Sequence, residues 1–276
     1  VFSLFVATWL GGCAEHTQAQ TEGASYPPLS LPDTEVRSLK STITGREYDL
    51  YIRFPASYDE NAGQKYPVLY SLDGQWDFKM LDSIYGGLYY DGFVPEMLIV
   101  GITYSGEDAD YGALRAMDYT PAQDQTIGGS GGARRFQRCL KEEIIPFIEQ
   151  EYRADPEQRV LMGHSFGGTF TLYSLFSEPE LFFGYVAASP AVTFGNRYAF
   201  KQEEEYFAAR QDLPVRLHLT VGGEEALAFP VQQFMDVLRG RNYAGLVLET
   251  QVIEGERHAG TKPEAFNRGL RFIFGE

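Results

Sequence analysis

The sequence predicts an α/β fold: one mostly parallel, twisted sheet entered through an N-terminal antiparallel hairpin, with helices on both faces and no large lid. Three observations carry this expectation. Near-continuous apolar runs of strand length, at residues 66–72, 96–104 and 183–188 among others, alternate with helix-period stretches. Strands apolar on both faces belong to parallel sheets covered by helices. An apolar run, Val160-Leu161-Met162, feeds directly into Gly163-His164-Ser165-Phe166-Gly167, and a helix-compatible pattern follows over residues 169–177. Finally, 276 residues with 44% hydrophobic content suit one large domain, and no repeat or second core interrupts the alternation.

Taken in order, residues 1–10 form an uncharged apolar run, far short of the roughly 20 residues that span a bilayer. The run reads as what remains of a signal peptide. Leu10-Gly11-Gly12-Cys13 resembles the lipobox of bacterial lipoproteins, which implies lipidation of Cys13; Ala14 after it implies an outer membrane. An ordinary secreted leader is the other reading, and both place the mature protein outside the cytoplasm. Residues 14–34 are polar and proline-punctuated, a tether to a single domain over 35–276.

Residues 36–43 and 47–54 flank Thr44-Gly45, with Tyr48, Leu50, Ile52 and Phe54 alternating, as in a hairpin. After the strand at 66–72 come Asp73-Gly74-Gln75, a helix over 76–89 and the strand at 96–104. Residues 105–131 lack periodicity and read as a long loop, functional or disordered. The helix over 133–152 has one apolar face, Pro146 should kink it, and Cys139 on it reads as a small buried residue. Beyond the serine turn, strands are expected at 183–188, 213–221 and 246–253 and helices at 229–239 and 263–274. The two dozen residues between Pro190 and Pro214 are too few for a helical lid, so the cleft should admit a bulky substrate.

With 23 basic and 38 acidic residues, the charge of −15 disfavours nucleic acid and anionic lipid as partners of the folded domain. Two cysteines make no disulfide framework, and the four histidines form no close ligand pair. Chemistry without a metal or other cofactor is therefore expected.

Glycines on both sides of Ser165 permit a turn tight enough to present its hydroxyl above the sheet edge. The Phe166 N–H, at a helix N-terminus, suits a developing oxyanion. A serine hydroxyl needs a base, normally a histidine held by a carboxylate. His16 lies in the tether, His164 in the turn itself and His218 in mid-strand, which leaves His258 in the loop after the last strand. Glu225, three residues past Gly222, is the favoured acid, with Glu224 beside it, or a serine-histidine pair with no strong third member, as the alternatives. The second oxyanion donor is expected at the Gln75 N–H, and Trp76 next to it should line either the substrate pocket or the core.

These stretches, with Leu72-Asp73-Gly74-Gln75, Arg115, Asp118-Tyr119-Thr120-Pro121, Gly131-Gly132-Ala133, Glu143-Ile144-Ile145-Pro146, Ser189-Pro190 and Glu256-Arg257-His258-Ala259-Gly260, resemble the esterase D branch of the α/β-hydrolases, most closely its periplasmic siderophore esterases. The resemblance runs over residues 35–274. It implies an α/β-hydrolase fold, Ser165 as nucleophile, His258 as base, and Phe166 and Gln75 as oxyanion donors. A tryptophan-rich segment often follows the Ser-Pro turn in those esterases, whereas Ala191-Val192-Thr193-Phe194 follows it here. The reading is a serine ester hydrolase working through an acyl-enzyme on a small-molecule ester, with a catecholate siderophore trilactone as candidate. Arg115 is a candidate for binding an acidic or catecholate group, or a structural arginine. An acyltransferase or serine peptidase with the same triad, and an inactive ligand-binding lipoprotein, are the alternatives.

Overall fold

The computed structural model describes residues 29–275, and the folded unit runs from Pro32 onward. The leader, Cys13 and residues 14–28 of the tether lie outside the described residues. The eight strands are β1 (Thr34–Lys40), β2 (Glu47–Arg53), β3 (Tyr66–Ser71), β4 (Leu98–Tyr104), β5 (Ala154–His164), β6 (Gly184–Ala188), β7 (Arg216–Gly222) and β8 (Val247–Ile253). They form one sheet in the order β1-β2-β4-β3-β5-β6-β7-β8. The β1–β2 and β2–β4 pairs are antiparallel and all others parallel. The six parallel strands therefore end on one rim, where an open α/β sheet carries its functional loops.

The local sequence accounts for the elements. Strand β2 buries Tyr48, Leu50 and Ile52 completely, at every second position. Every residue of β3, β4 and β6 is buried, as a two-faced parallel sheet requires. On one face Tyr70, Leu161, Ala187 and Leu219 share a core with Phe136 and Phe170. On the other, α1 (Gly74–Tyr90) and α8 (Lys262–Phe274) lie together. There Gly101 and Gly184 have no side chain because Phe78 and Ile273 occupy the space.

Three segments depart from the sequence expectation. Residues 105–131 are not one loop: they contain α2 (Tyr111–Tyr119), whose N-cap, Asp110, accepts from the Ala113 N–H at 3.0 Å. The span between Pro190 and Pro214 contains α6 (Phe194–Ala209), which begins with three left-handed residues, Gly195, Asn196 and Arg197. Both helices bury charged residues, Asp118 paired with Arg46 and Glu203 paired with Arg241. Charged residues at buried positions interrupt the apolar pattern, and in the nine residues of α2 few positions remain to show it. The helix expected over 133–152 is not one regular α-helix: α3 (Ala133–Cys139) and α4 (Ile145–Glu151) join, just before Pro146, through a π-helical turn, Leu140–Ile144. Within it the Ile145 N–H reaches back to the Leu140 carbonyl, and this register shift leaves Pro146 near the start of α4, where its missing N–H costs little.

Candidate active site

Strand β5 ends at His164 and α5 (Phe166–Ser177) begins at Phe166, leaving Ser165 alone in the turn. Ser165 adopts φ 59° and ψ −121°, outside the regions a non-glycine residue favours. The Ser165 N–H donates to the Ala188 carbonyl at 2.9 Å, and the Thr169 N–H donates to the Ser165 carbonyl at 2.8 Å. The helix can approach the strand this closely because of its glycines: a Cβ on Gly163 would lie 2.4 Å from the Gly167 carbonyl carbon. The Ser165 hydroxyl has no hydrogen bond among the described residues.

Two turns on the same rim bring a carboxylate to an imidazole. After β7 the chain turns through Gly222–Glu225, and the buried Glu225 side chain reaches Nδ1 of His258, in the loop after β8, with Oε2. Its Oε1 accepts from the Gly222 N–H at 2.6 Å and the Ser189 hydroxyl at 2.5 Å. Burial works to raise the Glu225 carboxyl, but the hydrogen bonds from His258, Ser189 and Gly222 outweigh it and hold it below the usual carboxylate range. Glu224 points elsewhere: it is exposed and lies 3.6 Å from Arg257 Nε.

Sequence reasoning left His164 without a task, and the structure gives it one. Its Nε2 lies 2.7 Å from the His258 carbonyl oxygen. A carbonyl only accepts, so Nε2 carries the proton. The two imidazole centroids are 4.5 Å apart. Burial, then the neighbouring His258 and Lys262, push the His164 imidazole down to about 3, so it is neutral at physiological pH. The Thr261 hydroxyl donates to the same carbonyl at 2.9 Å and lies 3.2 Å from the Ser189 hydroxyl. The His258 carbonyl and the Glu225 carboxylate are thus each held by a hydroxyl, Thr261 and Ser189, and the two hydroxyls lie side by side. Ser189-Pro190 was visible in the sequence as a motif; Thr261 had no signal there.

The remaining predicted residues also gather at this rim. The Leu72 N–H donates to the Met162 carbonyl at 3.0 Å, which sets the start of α1 beside the serine turn. Asp73, left-handed at φ 57°, caps α1, and the Trp76 and Asp77 N–H groups return to its carbonyl at 3.0 and 3.1 Å. The N–H groups of Gln75 and Phe166, in the first turns of adjacent helices, have no backbone acceptor among the described residues. Trp76 is 49% exposed and meets Tyr111 edge-on, so it belongs to the rim rather than the core. Arg115 lies on α2 rather than on a loop, and its guanidinium forms a double hydrogen bond to Asp73. A hollow lined by Arg216, Arg268, Arg271 and Phe272 sits near the start of β7 and the end of α8, at the other end of the sheet, and contains none of these residues. Among the described residues no cluster of three or more His, Cys, Asp or Glu side chains could hold a metal ion.

Known proteins resemble this chain over most of its length. The model of the family described as "Putative esterase" matches residues 41–244. The ferri-bacillibactin esterase BesA of Bacillus subtilis is 27% identical, with 94% of this chain and 95% of that protein aligned. The apo-salmochelin esterase of Escherichia coli is 32% identical over 57% of this chain and 51% of its own length. The crystal structure of the BES protein from Bacillus cereus superposes with a TM-score of 0.81 at 28% identity, covering 91% of this chain and 98% of that one. The family match spans well over half of the sequence, and the chain accordingly belongs to this esterase family, as a serine ester hydrolase of the α/β-hydrolase fold.

Proposed function

We propose that Ser165, His258 and Glu225 are the catalytic triad, with the N–H groups of Phe166 and Gln75 as the oxyanion hole. One observation carries the reading: a buried carboxylate with both oxygens engaged holds Nδ1 of a half-exposed histidine on the rim where a strained serine sits. With Nδ1 committed to Glu225, Nε2 is the nitrogen free to take the serine proton. Attack by the Ser165 oxygen on the ester carbonyl forms a tetrahedral adduct whose oxyanion lies between the two N–H groups. Glu225 stabilises the imidazolium. Collapse of the adduct breaks the bond to the leaving alcohol, which receives the proton from His258. Water, activated by the same imidazole, then releases the acid and restores Ser165.

The substrate in this proposal is a lactone-type siderophore ester, with Trp76 at the edge of its subsite. It rests on the relatives, which are named as esterases of ferri-bacillibactin and apo-salmochelin. The protein in this reading is exported and anchored at the outer membrane through a lipidated Cys13, supported by Leu10-Gly11-Gly12-Cys13. The test is a fluorophosphonate probe followed by a substrate panel. The wild type should be labelled at Ser165 and the Ser165→Ala variant should not. Ferric and iron-free trilactone siderophores should outcompete acylated sugars and simple aryl esters. Labelling without a lactone preference would remove the substrate and keep the mechanism, while an unlabelled wild type would mean a binding protein.

A further inference from the structure

We infer that Arg115 is a positioning residue that holds both halves of the oxyanion hole in register, and is not a substrate-binding arginine. The inference rests on the reading of Gln75 and Phe166 as oxyanion donors. Nε of Arg115 donates to Asp73 Oδ1 at 2.8 Å and Nη2 to Asp73 Oδ2 at 2.8 Å. Nη2 also donates to the His164 carbonyl at 3.2 Å. Asp73 lies two residues before Gln75, and His164 two residues before Phe166. One guanidinium therefore grips the chain at the same distance upstream of each donor. The side chains of Arg115 and Asp73 are 12% and 2% exposed. The Trp76, Tyr119 and Phe166 rings lie 5.6, 5.8 and 5.4 Å from the guanidinium carbon, so its surroundings are largely aromatic.

Two physical needs meet in this contact. Asp73 is a left-handed non-glycine residue at the head of α1, a conformation that persists only where its surroundings hold it. A planar fork that bonds both carboxylate oxygens fixes that side chain, whereas a lysine would fix only a point. The second need is electrostatic. An Asp73 oxygen lies 3.2 Å from where a Cβ on Gly167 would be, one residue past the proposed donor Phe166. An unpaired carboxylate there would oppose the charge that develops on the substrate oxygen, and Arg115 offsets it.

The experiment compares Arg115→Ala, Arg115→Lys and Asp73→Asn/Arg115→Gln with wild type, using a short neutral ester and counting active sites with the fluorophosphonate. Losing a single oxyanion donor costs roughly 10²- to 10³-fold in turnover. For Arg115→Ala, kcat per labelled site should fall by about 10- to 100-fold, with KM within about threefold. Millimolar guanidinium should restore part of the rate to Arg115→Ala. Arg115→Lys should lie between it and wild type, and the neutral double variant should recover part of what the alanine variant loses. Unchanged kcat per labelled site in Arg115→Ala would overturn the inference. So would a defect confined to KM when the neutral ester is replaced by an anionic one of the same acyl group, the signature of a substrate-binding arginine. Should the alanine variant not fold, Arg115→Lys alone decides by the same split. A wild type that is not labelled at Ser165 would instead defeat the triad reading on which the inference stands.

Discussion

At the scale of single residues, His258, the proposed base, is held by its backbone as well as its ring. His164 and Thr261 both donate to the His258 carbonyl, while Glu225 holds Nδ1. Removing one neutral hydrogen bond costs about 0.5–1.5 kcal/mol. His164→Ala should therefore lower kcat roughly three- to tenfold per active site, with KM little changed. Steady-state kinetics normalised by fluorophosphonate titration would check this, and an unchanged kcat would make His164 mere packing. Glu225→Gln should cost far more, on the order of 10³- to 10⁴-fold, because the amide no longer selects the productive tautomer. The same substitution at Glu224, exposed beside Arg257, should leave the rate within about twofold. The turn that presents Ser165 and the loop that carries His258 were legible because a tight glycine turn and a loop after the last strand are sequence features. Glu225 was favoured over Glu224 by its spacing from Gly222 alone, because which of two neighbours turns inward to Ser189 and Gly222 is not written in the sequence. His164 was overlooked because its partner is a carbonyl, which every residue possesses.

At the scale of elements, the parallel strands were legible from continuous apolar runs, and the helices that pack on them from apolar periods. The two helices that were missed, α2 and α6, are those whose inward faces carry Arg115, Asp118 and Glu203. In α2 Arg115 reaches Asp73 and the His164 carbonyl at the serine turn, whereas Asp118 ties the helix to Arg46 and Tyr48. The π-helical turn has a comparable structural task. Its Glu143 accepts from the Thr42 N–H at 2.8 Å and from the Ser41 and Thr42 hydroxyls at 2.5 and 2.6 Å, tying the turn to the β1–β2 connection. Glu143→Ala should destabilise the fold by about 1–3 kcal/mol, read by denaturant melting, with kcat per active site unchanged. A fall in kcat with unchanged stability would contradict a purely structural assignment. Gly163→Ala meets a harder obstacle, since its new methyl would overlap the Gly167 carbonyl carbon at 2.4 Å. Soluble but unlabelled protein, or none, is the expected result.

At the scale of the whole molecule, two buried histidines make stability depend on pH. Burial, then His258 and Lys262, push His164 down to about 3; burial, then Arg268, push His218 down to about 4. Both have an ordinary value of 6.5. The unfolded chain therefore binds protons that the folded chain refuses, and stability is fully present above pH 6.5 and lost as the pH falls below it. Asp77 acts in the opposite sense. Burial raises it to about 6 from 3.8 despite Lys262, so between those values the folded chain holds a proton that the unfolded chain lacks. His218 isolates the histidine contribution, because its ring is fully buried in β7 away from the serine turn. Its Nδ1 has no hydrogen bond, and its Nε2, 3.2 Å from Glu249 Oε1, is out of hydrogen-bonding alignment. His218→Leu should thus remove a titrating group without removing a partner. Between pH 8 and 5 the wild-type Tm should fall more steeply than that of His218→Leu, so that the two curves separate toward pH 5 with the wild type the lower. Each proton unit of difference contributes about 1.4 kcal/mol per pH unit, large enough to separate them by several degrees. Parallel curves would mean that His218 is not held neutral by its burial, and a loss of kcat in the variant would mean that β7 transmits the change to Glu225.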